Sequence, residues 1–464
     1  MVEMKHTDLR DIFADYNKYI DTEITVCGWI KTIRDSKQTC FVELNDGTSV
    51  KNIQIVIDKE SFGDSAKIVK QNIGAALSVS GRLVASINPK QPVEIHPAAV
   101  EVLGACTPDY PLQKKKHSME FLRTIPHLRV RTNTFIALLH VRSELAKAIH
   151  AYFQGLNFTY VHTPIITGSD CEGAGEIFRV TTHGFDTPYK TEEEYYANDF
   201  FKCKAGLTVS GQLEGEALAM ALGKIYTFGP TFRAENSNTA RHAAEFWQIE
   251  PEVAFADLND IIELATGMIK SITKHVLDNC GDELAFFEQF YEKGLKDKLT
   301  NIVESDFAVV EYTEAVDILM KSGVEFSYPV SWGRDLQTEH ERYLTDKVYK
   351  RPVFVINYPK EIKSFYMKLN PDGKTVAATD LLVPGVGEII GASQREDNFE
   401  LLEQQIVSRG MRKEDYDWYL ELRKYGSAPH SGYGLGFERM LMYVTGIPNI
   451  RDVTAFPRVT GFLA

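Results

Sequence analysis

At 464 residues, with 44% hydrophobic and 25% charged side chains, the chain has the make-up of a globular protein of two or three domains. No apolar run approaches the roughly 18 residues of a membrane-crossing helix. The formal net charge of −13 excludes a global attraction for nucleic acid, so an RNA partner must be met by local basic patches such as Lys114-Lys115-Lys116-His117. Six cysteines without a Cys-x-x-Cys pair predict reduced thiols of a cytoplasmic protein rather than a zinc site or disulfide framework. The first residues show neither the apolar core of an export signal nor the Arg-rich, acid-poor pattern of a transit peptide.

Four short alternating runs, Thr25–Ile30, Thr39–Leu44, Ile53–Ile57 and Ala76–Leu83, are separated by Gly and Asp turns. They predict a small β-barrel within residues 1–103. Residues 104–130, with three prolines and the lysine run, predict a linker or hinge. From Thr134, apolar residues at i+3 and i+4 spacing (Phe135, Leu138, Leu139, Ala146, Ile149, Phe153) predict a helix to about Phe153. Tyr160–Ile166 then predicts a strand. Strands and helices alternate irregularly to the end, so residues 131–464 are expected to form an α+β domain with a mostly antiparallel sheet and an insertion near 275–330. The glycine-rich fingerprints of P-loop and dinucleotide-binding proteins are missing, as are His-x-Gly-His and Lys-Met-Ser-Lys-Ser.

Residues 229–252, Gly-Pro-Thr-Phe-Arg-Ala-Glu-Asn-Ser-Asn-Thr-Ala-Arg-His-Ala-Ala-Glu-Phe-Trp-Gln-Ile-Glu-Pro-Glu, predict two strands around a polar loop. Phe246, Gln248 and Glu250 alternate, so a strand puts an aromatic platform, an amide and a carboxylate on one face. Beside Arg233 and Arg241, that face suits a nucleotide. The stretch resembles motif 2 of the class II aminoacyl-tRNA synthetases in its asparaginyl form. The resemblance implies that Arg233 bridges the α-phosphate and the amino-acid carboxylate, and that Glu235 contacts adenine. Arg241 and His242 would lie by the outer phosphates, with adenine stacked on Phe246. A guanidinium fork suits phosphate oxygens and an aromatic face holds a flat purine.

Gly432-Tyr433-Gly434-Leu435-Gly436-Phe437-Glu438-Arg439 resembles motif 3 of the same family. Its alternating glycines let backbone pass close under a ligand, and Arg439 would clamp the γ-phosphate and cover adenine. The segment Thr379–Glu396 resembles the family's Mg²⁺ and side-chain-binding strands. By that likeness Glu388 holds Mg²⁺ on the ATP phosphates, Asp380 supports it, and Arg395 binds the amino-acid side chain. Strict alternation would set Glu388 and Arg395 on opposite faces, which predicts a bulge or bend near Gly391. Residues 134–166, with Pro164, resemble motif 1, which implies a homodimer interface. Glu172 matches the acid that accepts the substrate α-amino group, with Ser210 and Gln212 nearby.

The choice of amino acid follows from two positions. Aspartyl members of the family carry a lysine that pairs with the substrate carboxylate, and Gly215 stands at that position here. Glu250 matches their acid in the motif 2 strand. With Arg395 donating to an amide oxygen and Glu250 accepting from its NH₂, the pocket is expected to take L-asparagine and repel aspartate. The barrel resembles the oligonucleotide-binding (OB-fold) anticodon domain of subclass IIb. This implies that Arg34, Phe41 and Gln54 meet the anticodon, Phe41 by stacking and Gln54 at a base edge; the residues alone leave Phe41 equally readable as a core aromatic. The expected activity is therefore ATP-dependent activation of asparagine and its transfer to tRNA(Asn), with ATP as substrate and Mg²⁺ as cofactor. An aspartyl enzyme, or one charging both tRNAs, is opposed by Gly215 and Glu250. A non-catalytic RNA-binding descendant is opposed by the presence of Arg233, Glu388 and Arg439.

Overall fold

The computed structural model describes residues 5–63, 65–88, 91–171, 177–237 and 239–463. Its Cα positions fall into two compact units, residues 1–140 and 141–464. The first is built on a closed barrel of β1 (Glu23–Asp35), β2 (Thr39–Asn45), β3 (Ile53–Asp58), β4 (Ala76–Ala85) and β5 (Val93–Gly104), in the order β1-β2-β3-β5-β4. Alternation fills its core with Val26, Ile30, Val42, Leu44, Ile55, Leu77, Val79 and Ile95, all buried. Strand β5 escapes the sequence pattern. Its Glu94, His96 and Pro97 mask the alternation, and the β4 register shifts between Ser80 and Gly81, opposite Pro97.

The second unit is organised by an eight-stranded sheet. Its strands are β6 (Thr159–Tyr160), β9 (Lys224–Phe232), β10 (Glu245–Ala254), β11 (Ala308–Glu311), β12 (Val353–Pro359), β13 (Thr375–Val383), β14 (Gly387–Gln394) and β15 (His430–Gly436). The order is β11-β12-β13-β14-β15-β10-β9-β6, antiparallel except for the outer pairs β11/β12 and β6/β9. A separate two-stranded sheet pairs β7 (Ile166–Thr167) with β8 (Gly206–Leu207). The strand expected over Tyr160–Ile166 is thus split into two short pieces. Pro164 has no N–H to give a ladder, and residues 161–165 between the two pieces have no regular structure. The helix expected from Thr134 spans Asn133–Gly155.

One face of the sheet is closed by the helix Leu258–Asn279. Asp257 starts it with a reciprocal capping box with Asp260, and Ile261, Ala265, Met268, Ile269, Ile272 and Val276 form its buried stripe. Tyr433 of β15 points to this side and donates to Met268 Sδ at 3.0 Å. The neighbouring positions 432, 434 and 436 are glycines and face the other way, so the opposite face of β15 is left bare. Among the described residues no helix is long and apolar enough to cross a membrane.

Candidate active site

The bare face carries a cavity of about 330 Å³. Ser210, Gln212, Arg233, Glu235, Arg241, His242, Phe246, Glu250, Asp380, Glu388, Arg395 and Arg439 all line it, although they come from four separate stretches of sequence. Glu172 lies outside the described residues. Cross-strand register explains the convergence. Gln248 pairs with Gly436 and Glu252 with Gly432, while Gly391 pairs with Gly434 and Ser393 with Gly432. Paired residues share a face, so β10, β14 and β15 present 246/248/250/252, 391/393 and 432/434/436 together.

A bulge brings Glu388 to the same side. Leu381 pairs with Ile390 but Leu382 pairs with Glu388, so Ile389 is the extra residue. The phase of β14 resets there, and Glu388 joins Gly391 and Arg395 on the cavity face. The bulge sits two residues before Gly391.

Around Glu388 the site is cationic and acidic at once. Arg439 Nη1 lies 3.6 Å from Glu388 Oε2. Arg241 donates to Thr338 Oγ1 at 2.9 Å, and the guanidinium of Arg233 stands 5.4 Å over the Phe246 ring. Burial, aided by repulsion from Arg439, Arg233 and Arg241, lowers the His242 pKa and favours the neutral ring. Asp380 is held by Lys363 Nζ at 2.6 Å. A Cβ added at Gly391 would lie 3.4 Å from Glu388 Oε1 and 3.7 Å from Asp380 Oδ1, so glycine keeps a cradle open between the two acids.

Glu341 was not singled out by the sequence. From the short helix Thr338–Tyr343 its carboxylate accepts the Glu388 N–H at 3.2 Å. It reaches there because Gly387, at φ +91°, has no Cβ, which would fall 2.3 Å from Glu341 Oε2. Burial pushes Glu341 up to about 7, helped by the Glu388 and Asp380 carboxylates. Among the described residues no cluster of three or more acids, histidines or cysteines is arranged to hold a metal by itself. Mg²⁺ on a nucleotide needs only one or two carboxylates beside the phosphates, and the crowded acids near Glu388 suit a cation. The donor set fits.

A second group of side chains surrounds Glu250 and Arg395. Glu250 accepts from Ser210 Oγ at 2.5 Å, Gly211 N at 3.1 Å and Thr227 Oγ1 at 3.1 Å. Arg395 does not pair with Glu250. Its Nε and Nη2 fork onto Glu252 at 3.2 and 2.5 Å, and Nη1 donates to Ser393 Oγ at 2.7 Å. Glu252 fills the space beside Gly432, where a Cβ would fall 2.1 Å from its Oε1. Burial is strongly opposed to charge on Arg395, yet Glu252 and Glu216 outweigh it and raise its pKa. Gln248 Oε1 is buried with no hydrogen-bond partner, and Gln248 is one of the residues lining the cavity. Glu252 was legible in the sequence, since it continues the alternation 246, 248, 250 along β10.

On the barrel, Arg34 pairs with Phe41 and Gln54 with Glu43 across β1, β2 and β3. The inward set is Cys40, Val42, Leu44, Ile53, Ile55 and Ile57, so Phe41 belongs to the outer face rather than the core. Arg34 stands 5.7 Å from the Phe41 ring and donates to Gln54 Oε1 at 3.1 Å. Gln54 is only 6% exposed and lies beneath Arg34.

Comparison with known proteins agrees with this geometry. A family model described as tRNA synthetases class II (D, K and N) matches residues 118–460, and one for an OB-fold nucleic acid binding domain matches residues 24–103. The chain is 58% identical to the asparagine–tRNA ligase of Acetivibrio thermocellus over 457 residues, 98% of each chain. It is 59% identical to that of Alkaliphilus oremlandii over the same length and coverage. Among solved structures, the asparaginyl-tRNA synthetase of Pyrococcus horikoshii complexed with asparaginyl-adenylate superposes with a TM-score of 0.86 at 33% identity, covering 100% of both chains.

Proposed function

Because this chain belongs to the class II tRNA synthetases of the aspartate, lysine and asparagine group, we propose that its cavity activates L-asparagine with ATP and loads it onto tRNA(Asn). The observation that carries the reading is the meeting of motif 2, motif 3 and β13–β14 side chains around one cavity of nucleotide-accommodating size. The asparagine carboxylate attacks the α-phosphorus of ATP, and pyrophosphate leaves. The terminal ribose hydroxyl of the tRNA then attacks the adenylate carbonyl, and AMP leaves. No protein nucleophile is needed. Arg233 is assigned to the reacting phosphate and carboxylate, Phe246 and Arg439 to the two faces of adenine, and Arg241 and His242 to the outer phosphates. Glu388, backed by Asp380, would hold Mg²⁺, which when bound neutralises phosphate charge.

The substrate end is assigned to Ser210, Gln212, Glu250 and Arg395, with Glu172 for the α-amino group. A Cβ added at Gly215 would lie 3.6 Å from Glu252 Cγ, and the glycine itself supplies no cation to a substrate carboxylate. This favours asparagine over aspartate. Pyrophosphate exchange compared with the two amino acids tests the reading: exchange with asparagine is expected, and exchange with aspartate alone would overturn it.

Division of labour between the units gives a further expectation. Phe41→Ala should weaken tRNA aminoacylation about ten- to a hundredfold, the worth of one base stack, and leave tRNA-free pyrophosphate exchange unchanged. Because Phe41 lies outside the barrel core, its melting temperature should stay close to that of the parent. An early-melting variant would mark Phe41 as structural. Gln54→Ala should act in the same direction.

We also assign the motif 1 region, residues 134–166, to a homodimer interface. Tyr160, Ile165 and Ile166 are exposed in the single chain, as is Trp247. Light scattering should give twice the chain mass at working concentrations, and a fully active monomer would refute the assignment. None of the six cysteines is in a disulfide, which supports a cytoplasmic setting.

A further inference from the structure

Behind the asparagine end of the cavity lies a fully buried carboxylate that the functional assignment does not use. Glu216 sits one turn after Gln212 on the helix Gln212–Leu222. Its Oε1 accepts from Gln212 Nε2 at 3.0 Å and Tyr419 OH at 2.8 Å. Its Oε2 accepts from Arg423 Nη2 at 2.7 Å and faces His430 Nε2 at 2.9 Å. Arg395 Nε is 3.9 Å from Oε1.

Two consequences follow. The Gln212 amide is fixed with its NH₂ turned toward Glu216, which leaves its carbonyl as the group available to a ligand donor in the cavity it lines. Arg395 is also flanked by two carboxylates, Glu252 in a fork and Glu216 behind. Among the carboxylates and guanidiniums of this buried cluster, Glu216, Glu252, Arg395 and Arg423 carry two formal charges of each sign, with the His430 ring beside Glu216. An arginine whose charge is already matched can donate to a neutral amide without offering net attraction to a carboxylate.

We propose that Glu216 is a specificity-positioning residue: its buried charge cancels the excess positive charge around Arg395, so that the pocket prefers the carboxamide of asparagine to the carboxylate of aspartate. This deepens the asparagine-activating reading and rests on it. It moves part of the discrimination from repulsion at Glu250, whose oxygens already accept three internal hydrogen bonds, to the charge balance behind Arg395.

The test is the ratio of kcat/KM for asparagine to that for aspartate in tRNA-free pyrophosphate exchange. That ratio does not depend on the fraction of enzyme that folds. Glu216→Gln keeps the shape and leaves the cluster one charge more positive. The ratio should fall by about tenfold or more, the effect of one charge through roughly 10 Å at an effective dielectric near 20. Glu216→Asp keeps the charge, so its ratio should stay near the parent's even if rates and melting temperature drop. A purely structural Glu216 predicts that both variants lose rate while both ratios hold, and a Glu216→Gln ratio within twofold of the parent would overturn the proposal. If Glu216→Gln gives no folded protein, Arg423→Gln poses the question with the opposite sign: the ratio should rise, and an unchanged ratio refutes the idea. Parent protein that does not activate asparagine at all would refute the functional reading instead.

Discussion

Arg233→Ala is expected to slow asparagine-dependent pyrophosphate exchange by about 10²–10³, the usual loss when one preorganised charge-stabilising donor is removed. Arg233 follows β9 immediately, and its backbone N–H is tied to Ala244 O at 2.9 Å across the hairpin. Its guanidinium lies over Phe246, on the face that β10, β14 and β15 leave bare. The side chain is therefore held where the α-phosphate is assigned, and alanine removes a charge that matters most as the phosphorus is attacked. The loss should appear in kcat more than in the KM for ATP, because Phe246 and Arg439 still hold the base. Arg439→Ala should act in the same direction but also raise the KM for ATP, since it covers the nucleotide and pairs with Glu388. A folded Arg233→Ala protein with near-parental exchange would remove the cavity as the site of adenylate formation.

How much of this was legible beforehand depends on the range of the interactions. Motif 2 and motif 3 are local phrases, and their residues meet because paired strands share a face; alternation alone anticipated Phe246, Gln248 and Glu250 together. The bulge at Ile389 was legible as a conflict, since Glu388 and Arg395 have to reach one ligand from a strand whose period separates them. Glu341 was not legible. It reaches Glu388 from a helix 47 residues earlier, and nothing in Gln-Thr-Glu-His-Glu-Arg distinguishes it from a solvated helix start. Glu216 was hidden for the same reason, because its partners Tyr419, Arg423 and His430 are more than 200 residues away. The sequence set Arg395 and Glu250 on the two atoms of a substrate amide, and both line the cavity; the fork from Arg395 to Glu252 was not legible in it. In the barrel, Phe41 was ambiguous from sequence, and the β1–β2 register places it outside the core.

Arg395→Lys should separate charge from geometry at the asparagine end. Lysine keeps the positive charge that Glu252 and Glu216 require, so it avoids leaving buried carboxylates without a cation. Arg395→Ala would do that, at about 3–5 kcal/mol. A single ammonium cannot reproduce the fork to Glu252, hold Ser393 and still donate into the cavity. Losing a hydrogen bond of a charged group costs about 1.5–3 kcal/mol, so the KM for asparagine should rise roughly ten- to a hundredfold. Binding of a non-hydrolysable ATP analogue should be unchanged, because the nucleotide is assigned to Arg233, Phe246, Arg241 and Arg439. The melting temperature should fall only slightly, since the buried charges remain matched. If the lysine variant used asparagine as well as the parent, Arg395 would be a structural partner of Glu252 only, and the donor to the asparagine side chain would have to be sought elsewhere in the cavity lining, since Gln212 Nε2 and Ser210 Oγ already donate to Glu216 and Glu250. If ATP analogue binding fell with it, the two ends of the cavity would not be separable as assigned.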